Sequence, residues 1–267
     1  MALQTFISSL KDEIEDSEEE TFLLFSRPIP SHNLGFIDPK ASSIDVTISK
    51  RDYTIHQSPG LLSSSRAGGT TGAVLWKITP LLADWLPKSP LASLLTTSSS
   101  VLELGCGITP LNALALSPLV GSYVLSDQAY VQKIVVKNLA ENLPRKGKAH
   151  QAHVAFRELD WETDQVVKAT SPTGTFDMVL ACDCIYNESL VAPLVQTSAD
   201  ACALKREDGD EPCLCVVAQQ MRSDDVFQAW LTEFHRRFRV WRLPDDMAPE
   251  GLRPDDGFLI HVGILRS

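Results

Sequence analysis

The chain has 267 residues, 44% of them hydrophobic, enough for one large domain with a buried core and an appendage. Its 24 basic and 34 acidic residues leave a formal net charge of −10. That argues against binding mainly through nucleic-acid phosphates and favours a basic protein partner. No apolar run of about 18 residues exists, and residues 1–10 lack a basic segment followed by an apolar one. Neither a membrane span nor a signal peptide is expected, so we expect a cytoplasmic or nuclear protein.

Residues 1–33 give mixed signals. The acidic run Asp12–Glu20 reads as a solvated helix face or tail, with a docking arm for a basic substrate as the sharper alternative. Phe22, Leu23, Leu24 and Phe25 precede Pro28 and Pro30, as in a docked helix or a loose arm. Ile44, Val46 and Ile48, then Tyr53 and Ile55, alternate across residues 44–57 and predict a β-hairpin. The Ser- and Gly-rich residues 58–72 predict a mobile loop. Thr79 and Pro80 are placed to cap and open a helix whose apolar face is Leu81, Leu82 and Trp85. Trp76, between loop and helix, reads equally as core or as a ligand-side ring.

The stretch 100–128 organises the rest. Val101, Leu102 and Leu104 form a short apolar run that suits a buried parallel strand. Gly105 and Gly107 then permit a tight turn with room for a ligand. Leu111, Leu114 and Ala115 follow at helical spacing, and a second apolar run, Tyr123 to Leu125, leads to Asp127. A carboxylate there can accept hydrogen bonds from ribose hydroxyls. A dinucleotide fingerprint needs a third glycine where Pro110 stands, and no basic residue waits for a pyrophosphate. Instead Glu103 sits two residues before the first glycine. Acid-x-Gly-x-Gly on a strand end is the pattern of S-adenosylmethionine (AdoMet) enzymes; the plain alternative is an ordinary Gly-Cys-Gly loop.

Residues 128–142 predict a helix through Val131, Ile134, Val135 and Leu139. Pro144 to His150 form a basic loop. Val154 to Leu159 predict a third strand ending at Asp160-Trp161, and Phe176 to Cys182 a fourth, buried strand ending at Asp183-Cys-Ile-Tyr186. A helix over 187–204, a polar loop over 207–212, a strand Cys213–Ala218 and a helix through Phe227, Trp230, Leu231 and Phe234 follow. Phe238–Leu243 and Phe258–Leu265 close the chain as an antiparallel pair. Alternating strands and helices predict an α/β fold with a mostly parallel sheet. We divide it into a 1–70 extension carrying the hairpin and a 71–267 domain. Functional residues then collect at the carboxyl ends of the strands: Gly105, Asp127, Asp160-Trp161 and Asp183 to Tyr186. Cys182 and Cys184, like Cys213 and Cys215, are spaced one apart in apolar runs. Zinc sites favour Cys-x-x-Cys, so these read as buried thiols and no metal is expected.

With these residues in hand, the chain resembles the seven-β-strand AdoMet methyltransferases, and within them the family 16 protein-lysine methyltransferases. Trp76, Glu103-Leu-Gly-Cys-Gly107, Asp160-Trp161 and Asp183-x-x-Tyr186 carry the likeness, over about residues 70–265. Gly35-Phe-Ile-Asp-Pro-Lys40 and Tyr53-Thr-Ile-His-Gln-Ser58 are similar to fungal members acting on a large-subunit ribosomal protein. The resemblance implies a Rossmann-like sheet of seven strands with AdoMet as cofactor. It places Gly105, Cys106 and Gly107 against the cofactor's amino-acid and ribose part and Asp127 at the ribose hydroxyls, with Glu103 as a further cofactor-binding residue that suits a cationic ligand. Trp161 and Asp160 would lie near the adenine, Trp76 and Ala181 in the cofactor wall, and Asp183 and Tyr186 would face the lysine. Thr109 departs from the family's third glycine. A basic protein substrate, a ribosomal one on this likeness, is the expected partner, and the enzyme is expected to be a monomer.

The chemistry is demanding, because only about one free lysine in two thousand is neutral at pH 7. An apolar aromatic channel would favour the neutral amine by desolvation, whereas a carboxylate such as Asp183 would favour the ammonium. Two other functions remain on the sequence: a small-molecule or nucleic-acid methyltransferase, and a non-catalytic AdoMet-binding scaffold. Amino-methylating nucleic-acid enzymes carry prolines after the fourth strand, and this chain has none there.

Overall fold

The computed structural model describes residues 2–30, 34–64, 69–143, 152–204 and 211–266. The basic loop 144–150 and most of the polar loop 207–212 lie outside them. In chain order the elements are α1 (Ala2–Ser9), α2 (Ser17–Phe25), β1 (Ser43–Ile48), β2 (Arg51–His56), the one-turn α3 (Pro59–Leu62), α4 (Ile78–Trp85), β3 (Ser100–Leu104), α5 (Leu111–Leu116), β4 (Ser122–Asp127), α6 (Gln132–Asn142), β5 (His153–Glu158), β6 (Met178–Cys182), α7 (Val191–Cys202), β7 (Leu214–Gln220), α8 (Asp224–Arg237), β8 (Phe238–Arg242) and β9 (Phe258–Leu265).

β3 to β9 form one seven-stranded sheet in the order β5-β4-β3-β6-β7-β9-β8. The first five strands pair in parallel, and β9 enters antiparallel between β7 and β8. The α/β fold with its antiparallel C-terminal pair is as the sequence led us to expect. From β3 the chain winds outward to β4 and β5, then returns to lay β6 on β3's other side. Ligands bind outside such a switch point. The register sets Leu104 beside Ala181, so Gly105 and Asp183 emerge next to each other above the sheet.

Side chains alternate between faces because a strand has a two-residue period. Val101, Leu125, Leu180 and Val216 pack under α4, α5 and α6. Leu102, Val124, Val179, Cys215 and Val217 pack on the other face with α7 and α8. This period accounts for the spacing of Cys213 and Cys215, which share the α7–α8 face, but not for Cys182 and Cys184, which fall on opposite faces. All six cysteines are free thiols.

The acidic N-terminal run is not a free arm. Asp16 caps α2 by accepting from the Glu18 and Glu19 N–H groups. Leu24 is buried, and Phe25 packs on Phe227 with ring centroids 5.3 Å apart. Ahead of α2, the Ile14 N–H donates to Val240 O on edge strand β8, and Glu13 and Glu20 pair with Arg239 and Arg242. Glu13 and Glu20 of the acidic run are thereby paired with the protein's own arginines, and β8 no longer offers a bare edge.

The β1–β2 hairpin docks on α6 through two asparagines. Asn138 and Asn142 each accept from and donate to the backbone of β2, at His56 and Thr54. They satisfy polar groups that an edge strand would otherwise leave to water. Several boundaries differ from the sequence reading. α4 begins before Thr79, whose buried hydroxyl meets the Cys182 thiol instead of capping. α6 and α7 are each preceded by a tight 3-10 turn, which shortens them.

His261 of β9 is fully buried between Phe227 and Trp230, and neither ring nitrogen has a partner. Desolvation, helped by Arg242, holds its pKa down at about 3. The unfolded chain binds this proton near pH 6.5, so stability is present above that pH and is lost as pH falls toward 3. We expect urea unfolding to show a loss of about 2 kcal/mol from this group between pH 7 and pH 5. His261→Gln should lack that increment; an equal acid loss in both proteins would remove His261 as the cause.

Candidate functional site

At the carboxyl ends of β3, β4 and β6 lies a cleft, the place where open α/β sheets bind their ligands. Its floor is the glycine turn. Gly105 and Gly107 have φ of +67° and +57°, a region that L side chains rarely adopt. A Cβ on Gly105 would lie 2.7 Å from Cys184 Sγ and 3.0 Å from the Trp161 ring. The turn is held by Asp127, whose Oδ2 accepts from Gly107 N at 2.8 Å while Oδ1 accepts from Gln128 N at 2.7 Å.

A second loop closes over the turn. Gly72 O accepts from Ile108 N at 2.9 Å, and Tyr130 OH accepts from Gly72 N at 3.0 Å. Thr71 Oγ1 donates to Tyr186 OH at 3.0 Å, and Trp76 Nε1 donates to Thr71 O at 3.1 Å. The 58–72 stretch therefore includes an ordered brace beside the site, while residues 65–68 lie outside the described ones.

The cleft brings together Trp76, Glu103, Gly105, Cys106, Gly107, Asp127, Asp160, Trp161, Asp183 and Tyr186. Ala181 does not line it. That residue is fully buried in β6 among the α7–α8 face. Asp160 Oδ2 accepts from Gln128 Nε2 at 2.9 Å, bracing the loops after β4 and β5.

Glu103 is buried beneath the turn, where its carboxylate accepts from Asn112 Nδ2 at 2.8 Å and Tyr123 OH at 2.7 Å. Desolvation outweighs both hydrogen bonds and raises its pKa to about 7. The Asn112 Oδ1 has no partner, and turning that amide over would let it accept from a protonated Glu103.

Asp183 differs most from its expected place. Its φ of +61° turns the carboxylate back toward β7, where Arg222 Nη1 and Nη2 donate to Oδ1 and Oδ2 at 2.6 and 2.7 Å. Gln220 N adds a third bond at 3.2 Å, and the side chain is only 2% exposed. Asp183 reaches the cleft as half of a buried ion pair, not as a free carboxylate facing an incoming ammonium. Tyr186 stands at the mouth, 38% exposed, its hydroxyl pKa raised by burial of its inner part.

Sequence reasoning missed Arg222, Thr71, Tyr130 and Gln128. Arg222 could have been sought as a cation just past the fifth strand. The others lie in turns whose pairing no local pattern announces.

The lysine methyltransferase family model matches residues 56–234. The chain belongs to the lysine methyltransferase family. Ribosomal lysine N-methyltransferase 5 of Zygosaccharomyces rouxii is 29% identical over 241 residues, covering 72% of this chain and 72% of that protein. The protein of that name from Candida glabrata is 28% identical over 258 residues, covering 70% and 72%. A Schizosaccharomyces pombe protein named diaminohydroxyphosphoribosylamino-pyrimidine deaminase is 35% identical over 232 residues, 85% of this chain. The chain spans only about half of that relative, 53%. Nucleobase deaminases that use zinc need a Cys-x-x-Cys pair, and this sequence has none. Among solved structures, YcgJ of Bacillus subtilis aligns with a TM-score of 0.43 at 16% identity, over 65% of this chain and 94% of that one.

AdoMet is the cofactor of this family, and the cleft fits such a ligand. Trp161 Nε1 and Thr109 Oγ1 are buried on its wall without partners, and buried polar groups are rarely left so. Each offers a hydrogen bond to a polar ligand, next to a backbone kept bare by glycine.

We expect Asp127→Ala to weaken AdoMet binding by about 1–3 kcal/mol with circular dichroism unchanged; an unaltered dissociation constant would show that Asp127 holds no part of the ligand. For Glu103, the raised pKa means that ionisation costs stability as pH rises from 4.5 through about 7. Glu103→Gln in the cofactor-free protein should therefore gain about 3 kcal/mol on the parent between pH 4.5 and pH 8. A gap that stays constant across that range would mean Glu103 ionises normally.

Proposed function

We propose that this chain methylates the side-chain amine of a lysine in a large-subunit ribosomal protein, with AdoMet as donor. The observation that carries the proposal is one cleft with two sides. The glycine turn, Asp127, Asp160 and Trp161 are tied together through Gly107 N, Gln128 and the Trp161 ring beside Gly105; Trp76, Asp183 and Tyr186 are tied through Arg222 and Thr71. Family membership supports lysine as acceptor, and the names of the yeast relatives support a ribosomal substrate. The formal charge of −10 suits a basic protein, and a ribosomal substrate favours the cytoplasm, with the nucleus as the alternative.

On this reading the backbone at Gly105 to Gly107 holds the cofactor's amino-acid part, Asp127 the ribose, and Trp161 with Asp160 the adenine. When bound, AdoMet supplies an electrophilic methyl on a sulfonium centre. The protein's task is then alignment, which supplies most of the gain in such reactions, and delivery of a neutral amine. Tyr186 offers an aromatic face that attracts a cation at the mouth, while the apolar interior penalises charge.

The direct test adds radiolabelled AdoMet to a lysate from cells lacking the enzyme. Label should enter one large-subunit ribosomal protein, on lysine by mass spectrometry. Label in RNA or metabolites, or none, overturns the proposal. Tyr186→Ala should keep most cofactor affinity and lose methylation by about a hundredfold, whereas Tyr186→Phe, losing only the bond from Thr71, should stay within about tenfold. Equal losses in the two variants would assign the role to the hydroxyl, not the ring.

A further inference from the structure

We infer that Arg222 neutralises the acceptor side of the cleft, so that the substrate lysine is received as a free amine and not trapped as an ammonium. The inference rests on the lysine-methyltransferase reading and concerns a residue acting through Asp183, a positioning role.

A bare carboxylate within hydrogen-bond reach of a lysine stabilises the ammonium, which cannot attack a methyl group. Asp183 is placed to do that harm, at the end of β6 on the cleft wall. Arg222 prevents it with two short bonds, 2.6 and 2.7 Å. The guanidinium is itself fixed. Its carbon lies 5.2 Å from the centre of the Trp76 ring, and Nη2 donates to Gln220 Oε1 at 3.3 Å and to Leu34 O at 3.4 Å. Gly35 makes room: a Cβ there would lie 2.7 Å from Arg222 Nη2.

The pair still leaves one useful acceptor. Among the described residues, Oδ1 accepts from Arg222 and Gln220, whereas Oδ2 accepts from Arg222 alone. A carboxylate oxygen has two lone pairs, so Oδ2 can take one N–H of a neutral amine and orient its lone pair. The other ionisable groups facing the cleft are otherwise engaged. Asp127 holds Gly107 N, Asp160 holds Gln128, and Glu103 lies under Asn112 and Tyr123. The thiols of Cys106, Cys182 and Cys184 and the Tyr186 phenol are kept protonated by burial, and the Tyr130 and Tyr186 hydroxyls are bonded to the 71–72 loop.

The test is the pH profile of single-turnover methylation, read as protein-bound label in a desalted lysate from cells lacking the enzyme. That readout does not depend on the acceptor being ribosomal. Arg222→Gln keeps a hydrogen-bond donor but removes the charge; its midpoint should move alkaline by about one unit, a loss of about tenfold at pH 7 that recovers at high pH. Arg222→Lys should keep the parent midpoint. Arg222→Gln combined with Asp183→Asn has no unpaired buried charge and should return the midpoint to the parent's, which decides the matter if the single variant fails to fold. Calorimetry should show AdoMet affinity unchanged throughout. A parent-like midpoint in Arg222→Gln, or an alkaline one in the double variant, overturns the inference. No labelled lysine with the parent chain would instead sink the methyltransferase reading itself.

Discussion

Everything in the cleft depends on two backbones meeting closer than side chains would allow. Gly72 and Gly107 approach so tightly that a Cβ on Gly107 would lie 2.9 Å from Gly72 O. Through that contact the Ile108 N–H reaches Gly72 O, and the loop before α4 is fastened over the turn after β3. Asp127 holds the same turn from β4, and Asn138 of α6 donates to Ile108 O at 2.8 Å. One strand-end turn thus receives hydrogen bonds from the loop, the neighbouring strand and the helix beneath. Such over-determination is what lets residues persist in sparsely populated backbone conformations.

The frame was legible in the sequence because its signals are local. A buried strand reads as an apolar run, a glycine turn as two glycines, an amphipathic helix as spaced apolar residues, and these placed the strands after residue 100 to within a few residues. The acid at Asp127 and the aromatic at Trp161 follow from strand ends alone. What escaped was set by pairing across distance. Arg222 and Asp183 are 39 positions apart, and nothing near Asp183 announces its partner. Thr-Pro often begins a helix, yet α4 starts one residue earlier, and the Thr79 hydroxyl is buried where it accepts from the Cys182 thiol. Ala181 was assigned to the wall by likeness, but the two-residue period of β6 turns it into the core on the opposite face.

Electrostatics explains why the expected and observed roles of Asp183 diverge. A carboxylate at a strand end reads as a hook for a cation, and in water it would be one. Inside the protein an ionised group without a partner is costly, so Asp183 is accompanied by Arg222 and the Gln220 N–H. The same pressure acts on Glu103, which has no cation and answers by a raised pKa instead. Two buried acids thus limit their charge by different means, Asp183 by pairing with Arg222 and Glu103 by a pKa raised to about 7.

That difference bears on the N-terminal extension. The division at residue 70 separates two stretches of sequence, yet the pair that neutralises Asp183 is finished by residues on the far side of it. Leu34 O and Gly35 cradle the guanidinium, and Phe36 packs on Trp76 with ring centroids 4.5 Å apart. Trp76 in turn lies under Arg222 and bonds Thr71. The hairpin adds no chemistry of its own; it is pinned to α6 by Asn138, the residue that also steadies the glycine turn. Residues 34–36 therefore help to fix the guanidinium on Asp183 and the Trp76 ring beside it, and the extension and the domain share this side of the cleft.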